Sequence, residues 1–283
     1  MAAGDGSKLM AAEGEQLSSV TQRRPRIGPR LSQVNINVWR LLVFVLLILL
    51  WWLVAVLVGQ NFFPTPWQTA VAGVQVIGDG SVPRATLDSL GVFLAGYLLS
   101  AAFAIPFGLL MGGIRIFGAT IEGYVNALSA MPRVAFIPLV IVFLGLGFEA
   151  KTFIVFLGAV MPILINTYYG VLNSDGELIE MARSAGASDT QIFRKIMLPG
   201  ALPYITAGLR VGASLALINT VVAELYTAVN GLGGLLSVYG NSFRMAPYFV
   251  VVCVLAAIGV LIMQSLKLLE RRMERWRYRG DSI

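Results

Sequence analysis

The sequence predicts an all-α fold of the membrane-embedded kind, a polytopic bundle of about six transmembrane helices. The 283 residues are 57% hydrophobic and only 13% charged, whereas a soluble domain carries about 25% charged residues. Leu41 to Val58 is an unbroken apolar run of 18 residues, enough to cross most of a hydrocarbon core about 30 Å thick. Ser89–Ile114, Thr152–Ser174 and Met245–Leu266 are further long stretches without a formal charge. The core of one soluble domain does not account for four such runs.

Residues 1–37 are polar and carry the basic cluster Arg23, Arg24, Arg26 and Arg30, the composition of a disordered cytoplasmic tail. The apolar region begins too late and runs too long for a signal peptide. The first span is predicted at 38–59, with Trp39, Trp51 and Trp52 as interfacial anchors or lipid-facing side chains. Residues 60–84 hold Pro64, Pro66, Gly78, Gly80 and Pro83, a loop composition. The second span is predicted at 86–113, kinked at Pro106. The third, read as one crossing over 119–147 made of a broken helix, holds Arg133 flanked by Pro132 and Pro138. The fourth, fifth and sixth spans are predicted at 151–172, 200–228 and 246–268. The membrane domain is thus 38–270, followed by a basic cytoplasmic tail at 271–283.

Six spans place both termini on one side. With the N-terminus cytoplasmic, 17 of the 21 Lys and Arg residues fall inside, and only Arg84, Lys151 and Arg244 fall outside, Arg133 being undecided. The net charge of +6 therefore marks topology and contact with membrane lipid rather than a nucleic-acid surface. The single cysteine, Cys253, lies in an apolar run and cannot form an internal disulfide. The absence of histidine removes His-based triads, metal sites and proton relays. No catalytic constellation and no cofactor site is expected.

Residues 173–199, between the fourth and fifth spans, do more than connect. Ser174 with Glu177 fits a capping box, and Gly186 can close that helix in a left-handed conformation. Ser188 with Gln191 fits a second capping box, and Leu198-Pro199 is read as the stop of the second helix. Leu178, Met181, Ala182 and Ala185 share one face of the first helix; Ile192, Phe193 and Ile196 share one face of the second. Such a knob either docks into a partner's groove or packs on the chain's own helix ends.

The same segment resembles the EAA loop of ABC importer permeases, Glu-Ala-Ala, three residues, Gly, nine residues, Ile-x-Leu-Pro. Here it reads Glu180-Met181-Ala182, Gly186, then Ile196-Met197-Leu198-Pro199, with correct spacing and Met181 as the one departure. Pro132-Arg-Val-Ala-Phe-Ile-Pro-Leu, Gly145-Leu-Gly147 and Glu149-Ala-Lys151 are similar to the third span of the nitrate, sulfonate, taurine and bicarbonate group of these permeases. Ala223-Glu224-Leu and Gly231-Leu-Gly-Gly-Leu resemble later segments of that group's chains, and the likeness covers roughly 40–275. It implies a bacterial inner-membrane subunit that pairs as a dimer. Two ATPase subunits would bind its EAA loops, and a periplasmic or lipid-anchored binding protein would deliver a small anion. Glu180, Met181, Ala182, Gly186, Ile192, Phe193, Ile196, Leu198 and Pro199 would then serve ATPase coupling. The chain has no Gly-x-x-x-x-Gly-Lys-Ser/Thr segment, so ATP hydrolysis is expected on a separate subunit.

Ionisable residues inside a membrane are functional candidates by default. Glu224, near the outer end of the fifth span, either lines or gates a path or pairs with Arg244 or outer-loop backbone. Arg133 either attracts an anion or serves the end of a broken helix, and Arg210 is read as a topology marker. Lys151 and Arg244 could steer an anion or meet an acidic partner. Gly208, Gly212 and Ala216 form a small-residue stripe, as do Gly108 and Gly112, for contacts within one subunit or across a dimer seam. An ion-coupled secondary transporter is the competing class. It would want mid-membrane protonatable groups and an internal repeat, neither of which stands out.

Overall fold

The computed structural model describes residues 36–60, 62–227 and 230–273, which contain helices and no strands. The two predicted tails lie outside these residues, except that 36–37 open the first helix and 271–273 close the last. The chain divides into two units, residues 1–51 and 52–283, and the second holds the bundle. The helices are α1 (Ile36–Val58), α2 (Pro66–Gly78), α3 (Ser81–Gly113), α4 (Arg115–Ala130), α5 (Ile137–Leu144) and α6 (Phe148–Leu172). Then come α7 (Gly176–Ser184), α8 (Asp189–Ile192), α9 (Leu198–Thr227), α10 (Leu232–Asn241) and α11 (Met245–Met273).

Five helical stretches are long and apolar enough to cross a membrane: α1, α3, α6, the continuous stretch Asp189–Thr227, and α11. The third predicted span is the sixth candidate. It is α4 followed by Arg133–Leu144, bent by 80°. The break has a local cause. Pro132 disfavours helical backbone at the residue before it, and Met131 is extended at φ −70°, ψ 138°. Pro138 then starts α5, where a missing N–H costs nothing.

The 60–84 segment departs from the loop reading. Pro66 opens α2 rather than breaking a helix, because Thr65 and Gln68 form a complete capping box around it. Gly80, at φ +77°, turns the chain into α3, which begins five residues ahead of the predicted 86.

Small residues decide the packing. On α3, Gly96, Ser100, Ala104, Gly108 and Gly112 recur every fourth position and are all buried. They face α6: a methyl on Gly108 would sit 2.8 Å from the Leu164 carbonyl oxygen and 2.8 Å from Thr167 Cβ. On α9, a methyl on Gly208 would sit 2.8 Å from Asn166 Cβ, and one on Gly212 2.6 Å from Ile163 Cγ1; Ala216 is fully buried. Gly108, Gly112, Gly208 and Gly212 therefore all lie against α6 of the same chain. Polar groups tie the same three helices together. The Tyr97 hydroxyl donates to the Leu209 carbonyl at 3.0 Å, and Ser100 Oγ lies 3.1 Å from the Phe156 carbonyl. Gly108→Leu should cost about 3 kcal/mol or more, since backbone blocks relaxation. Gly123→Leu, with open space around its Cβ, should be near neutral. Thermal midpoints of the two purified variants check this.

Candidate coupling knob and membrane-embedded polar sites

The knob is α7, Gly186 and α8. Asp175, not Ser174, caps α7, accepting from the Glu177 and Leu178 N–H groups at 3.0 and 3.3 Å. The Ser174 hydroxyl is committed elsewhere, donating to the Val171 carbonyl at 2.8 Å. Gly186 takes the expected left-handed conformation, φ +82°, and the Ala187 N–H closes the helix on the Ala182 carbonyl at 2.9 Å. The Ser188–Gln191 capping box forms as expected.

The two apolar faces have different fates. On α7, Leu178 is 44% and Met181 64% exposed, with Glu180 and Ala185 also exposed and Ala182 half-buried. On α8, Ile192 is buried, and Phe193 packs against Val171, Ala201 and Ile205, its ring lying beside Gly113. The α8 face thus holds the knob to the bundle, while the α7 face stays open.

Leu198-Pro199 does not stop α8. Residues 193–197 form a π turn, in which the Leu198 N–H reaches back to the Phe193 carbonyl, and the helix runs on into α9. The wider turn shifts the hydrogen-bond register just before Pro199, which has no N–H to donate. The second helix of the knob, α8, and the fifth span are therefore one continuous helical stretch, Asp189–Thr227.

Arg133 sits at the joint of the bent third segment. Its Nη1 donates to the Gly158 carbonyl of α6 at 2.9 Å, and its Nη2 lies 3.5 Å from the Ser129 carbonyl. Gly158 is four residues before Pro162 of the same helix, so its carbonyl has no helical donor. Arg133 supplies that donor. Beside it opens an apolar groove of about 710 Å³ between α4, α5 and α6.

Glu224, 1% exposed, sits at the end of the bundle opposite the knob. It accepts from the Ser89 hydroxyl at 2.8 Å and from the Gly233 N–H at 2.8 Å. Ser89 Oγ in turn accepts from the Leu232 N–H at 2.8 Å. The carboxylate thus reaches the first two N–H groups of α10, one directly and one through Ser89, where a negative charge is favoured. Its backbone partner is thus the first turn of α10. Arg244 instead lies over the Tyr239 ring, 5.2 Å from its centre. Lys151 is not at the surface: it is buried, its Nζ 3.3 Å from the Asn230 carbonyl. With Asp88 and Glu224 it borders a cavity of about 300 Å³. Ser89, Gly231 and Gly233 complete this site. Of these three, only the glycines stand out in the sequence. Arg210 is ion-paired with Glu270 of α11, so it ties two helices together besides carrying charge.

A bundle of this kind, with five to six candidate spans and a capped helical knob between two of them, is that of a multi-pass membrane protein. Residues 104–275 match the family described as binding-protein-dependent transport system inner membrane component, and the chain belongs to it. It is the permease subunit of an ABC importer, in the inner membrane. It is 33% identical to the riboflavin transport system permease protein RibX of Chloroflexus aurantiacus, over 89% of this chain and 96% of that protein. It is 29% identical to the taurine transport system permease protein TauC of Escherichia coli, over 88% of this chain and 92% of that one. Its fold matches a chain in an inward-facing structure of the MetNI methionine ABC transporter, with a TM-score of 0.56 and 24% identity over 68% of this chain and 96% of that chain.

Proposed function

We propose that this permease is driven by a separate ATPase subunit that grips the α7 face, and that it moves a small anion delivered by an external binding protein. The observation carrying this reading is the exposed Leu178–Met181 face beside Glu180, on a helix capped at both ends and linked by a single left-handed glycine to the stretch that becomes the fifth span. Motion imposed on α7 would pass through the turn at Gly186 to α8, and from α8 into α9 without a further loop. Ile192, Phe193 and Ile196 would anchor the knob, and Leu198 and Pro199 would set the π turn through which it moves. Two permease copies would pair, with two ATPases beneath them. Both termini would lie in the cytoplasm, the side favoured by 17 of the 21 Lys and Arg residues. Arg133 and Glu224 stand as candidates for the path and its gate at two depths. A taurine transporter among the relatives supports a sulfonate or a similar anion, with nitrate and bicarbonate as the other members of the substrate class.

Co-purification from native membranes in mild detergent, with mass spectrometry of everything retained, tests this reading. The wild-type chain should hold a P-loop ATPase in stoichiometric amount, and Glu180→Lys should lose it. A pure homo-oligomer transporting at full rate without an ATPase would overturn the coupling and favour ion-coupled secondary transport.

A further inference from the structure

Resting on the permease reading for the motion that drives it, we propose that Lys151 is a positioning residue of a two-charge latch at the end of the bundle opposite the knob. Lys151 and Glu224 hold the backbone of residues 230–233 between them. When transport lifts that segment, the two side chains pair with each other. Lys151 is therefore a partner kept ready for Glu224, besides being a clamp on the segment.

The hold has both signs. The Lys151 ammonium donates to the Asn230 carbonyl at 3.3 Å. Glu224 accepts from the Gly233 N–H at 2.8 Å and, through Ser89, serves the Leu232 N–H. Gly231 lies between these contacts, and a Cβ on it would overlap the Glu224 carboxylate. The segment therefore rests directly on the carboxylate.

Lys151 is the side of this arrangement left short of partners. It is 5% exposed and its ammonium has three N–H donors. Among the described residues the side chain's one hydrogen bond is the 3.3 Å contact to Asn230. The ion pairs among those residues are Arg183–Asp189 and Arg210–Glu270, so no carboxylate lies within ion-pair distance of Lys151. A buried cation with so little around it calls for a counter-charge. Glu224 is placed to supply it: both border one cavity of about 300 Å³, and a lysine has a flexible four-carbon stem. Asp88 borders the same cavity, but it is exposed, and water already serves an exposed carboxylate.

Lifting residues 230–233 takes the carbonyl from Lys151 and the N–H from Glu224 in one move. Either charge stripped alone would be stranded, and the segment would be locked down. Stripped together, the two satisfy each other, so the site is paired with the segment down and with it up. An element that opens and recloses in every cycle needs two such arrangements.

The test is thiol labelling of the full-length permease with its ATPase in lipid nanodiscs, by a neutral water-soluble maleimide. Val92→Cys is the reporter, on a cavity wall where the native residue is 4% exposed. Cys253→Ala leaves it the chain's single thiol. With ATP and vanadate this parent should label about tenfold faster or more than at rest. Lys151→Met and Glu224→Gln, which each leave one charge to strand, should each lose most of that gain. The double variant strands none and should label at least as fast as the parent, and Lys151→Arg should keep the gain. A lysine that only clamps the segment gives the reverse order: each single change loosens the hold and labels faster, and the two effects add. Should Lys151→Met not fold, Lys151→Gln, which keeps an N–H for Asn230 but no charge, enters the same cycle. Single variants that label as fast as the parent, or a double variant no faster than the slower single, overturn the latch. Rescue of Lys151→Met by Asp88→Asn, but not by Glu224→Gln, overturns the assignment of Glu224 as the partner. Equal labelling with and without nucleotide, with the ATPase bound, overturns the lifting of the segment. Spontaneous opening of the permease alone should follow the same order of variants, so a missing ATPase sinks the coupling reading while the cycle still decides the latch.

Discussion

Gly186→Val is expected to cut uptake about tenfold or more while the protein reaches the membrane at its normal level, whereas Gly186→Asn should stay near wild type. The residue has φ +82°, and a Cβ placed on it would meet nothing within 4 Å. Packing is therefore not at stake, only backbone conformation. The left-handed region costs an L-residue roughly 1–2 kcal/mol, more for a β-branched side chain and less for asparagine. About 1.4 kcal/mol is tenfold in an equilibrium constant. None of the α7 residues is buried, so little besides its caps and this turn fixes the helix. A valine that relaxes out of the left-handed region breaks the Ala187–Ala182 bond and re-aims α7 relative to α8. Glu180→Lys should give the same loss through the surface rather than the backbone. Uptake by intact cells, normalised to membrane abundance, is the measurement. Normal uptake in both Gly186→Val and Glu180→Lys would remove the knob from coupling.

The parts of this molecule that are legible in the sequence are those set by local rules. Apolar runs locate the spans, Gly186 announces its left-handed turn, and Ser188 with Gln191 announces its capping box. The departures share a physical cause. Proline reads as punctuation, yet Pro66 opens α2 and Pro199 is absorbed by a π turn, because the cost of a proline depends on where its missing N–H falls. Ser174 loses the cap to Asp175 because its hydroxyl already serves the helix before it. The two faces of the knob look alike in sequence, and only tertiary packing separates the buried α8 face from the open α7 face. Arg133 shows the limit most clearly. Its tie to Gly158 follows from Pro162, 29 residues away in sequence, and becomes visible once the 80° bend brings the segments together.

Glu224→Ala should be among the most destabilising single changes in the protein. It leaves the Gly233 N–H and the Ser89 hydroxyl without their acceptor in a buried site. Each unsatisfied buried donor costs about 1–3 kcal/mol, so a total of about 2–6 kcal/mol is expected. Ser89→Ala strands the Leu232 N–H and takes the hydroxyl donor from Glu224, but leaves the carboxylate its Gly233 N–H, so it should cost less, and the double variant should fall short of the sum because the two residues share one network. Glu224→Gln keeps an oxygen for Gly233 and an amide for Ser89 Oγ to accept, and should hold most of the stability. Thermal midpoints of the detergent-purified variants give this order. Gly231 extends the argument to the backbone. At φ +93°, a side chain there would overlap the Glu224 carboxylate, so Gly231→Val should fail to yield folded protein, and removing the carboxylate with it should recover only the part due to the clash. Transport then separates two roles that stability cannot. If Glu224→Gln is as stable as wild type and transports normally, the carboxylate serves as the cap of α10 and no more. If it is stable and does not transport, its charge acts during the cycle, and the contact from the fifth span to α10 is one that must open.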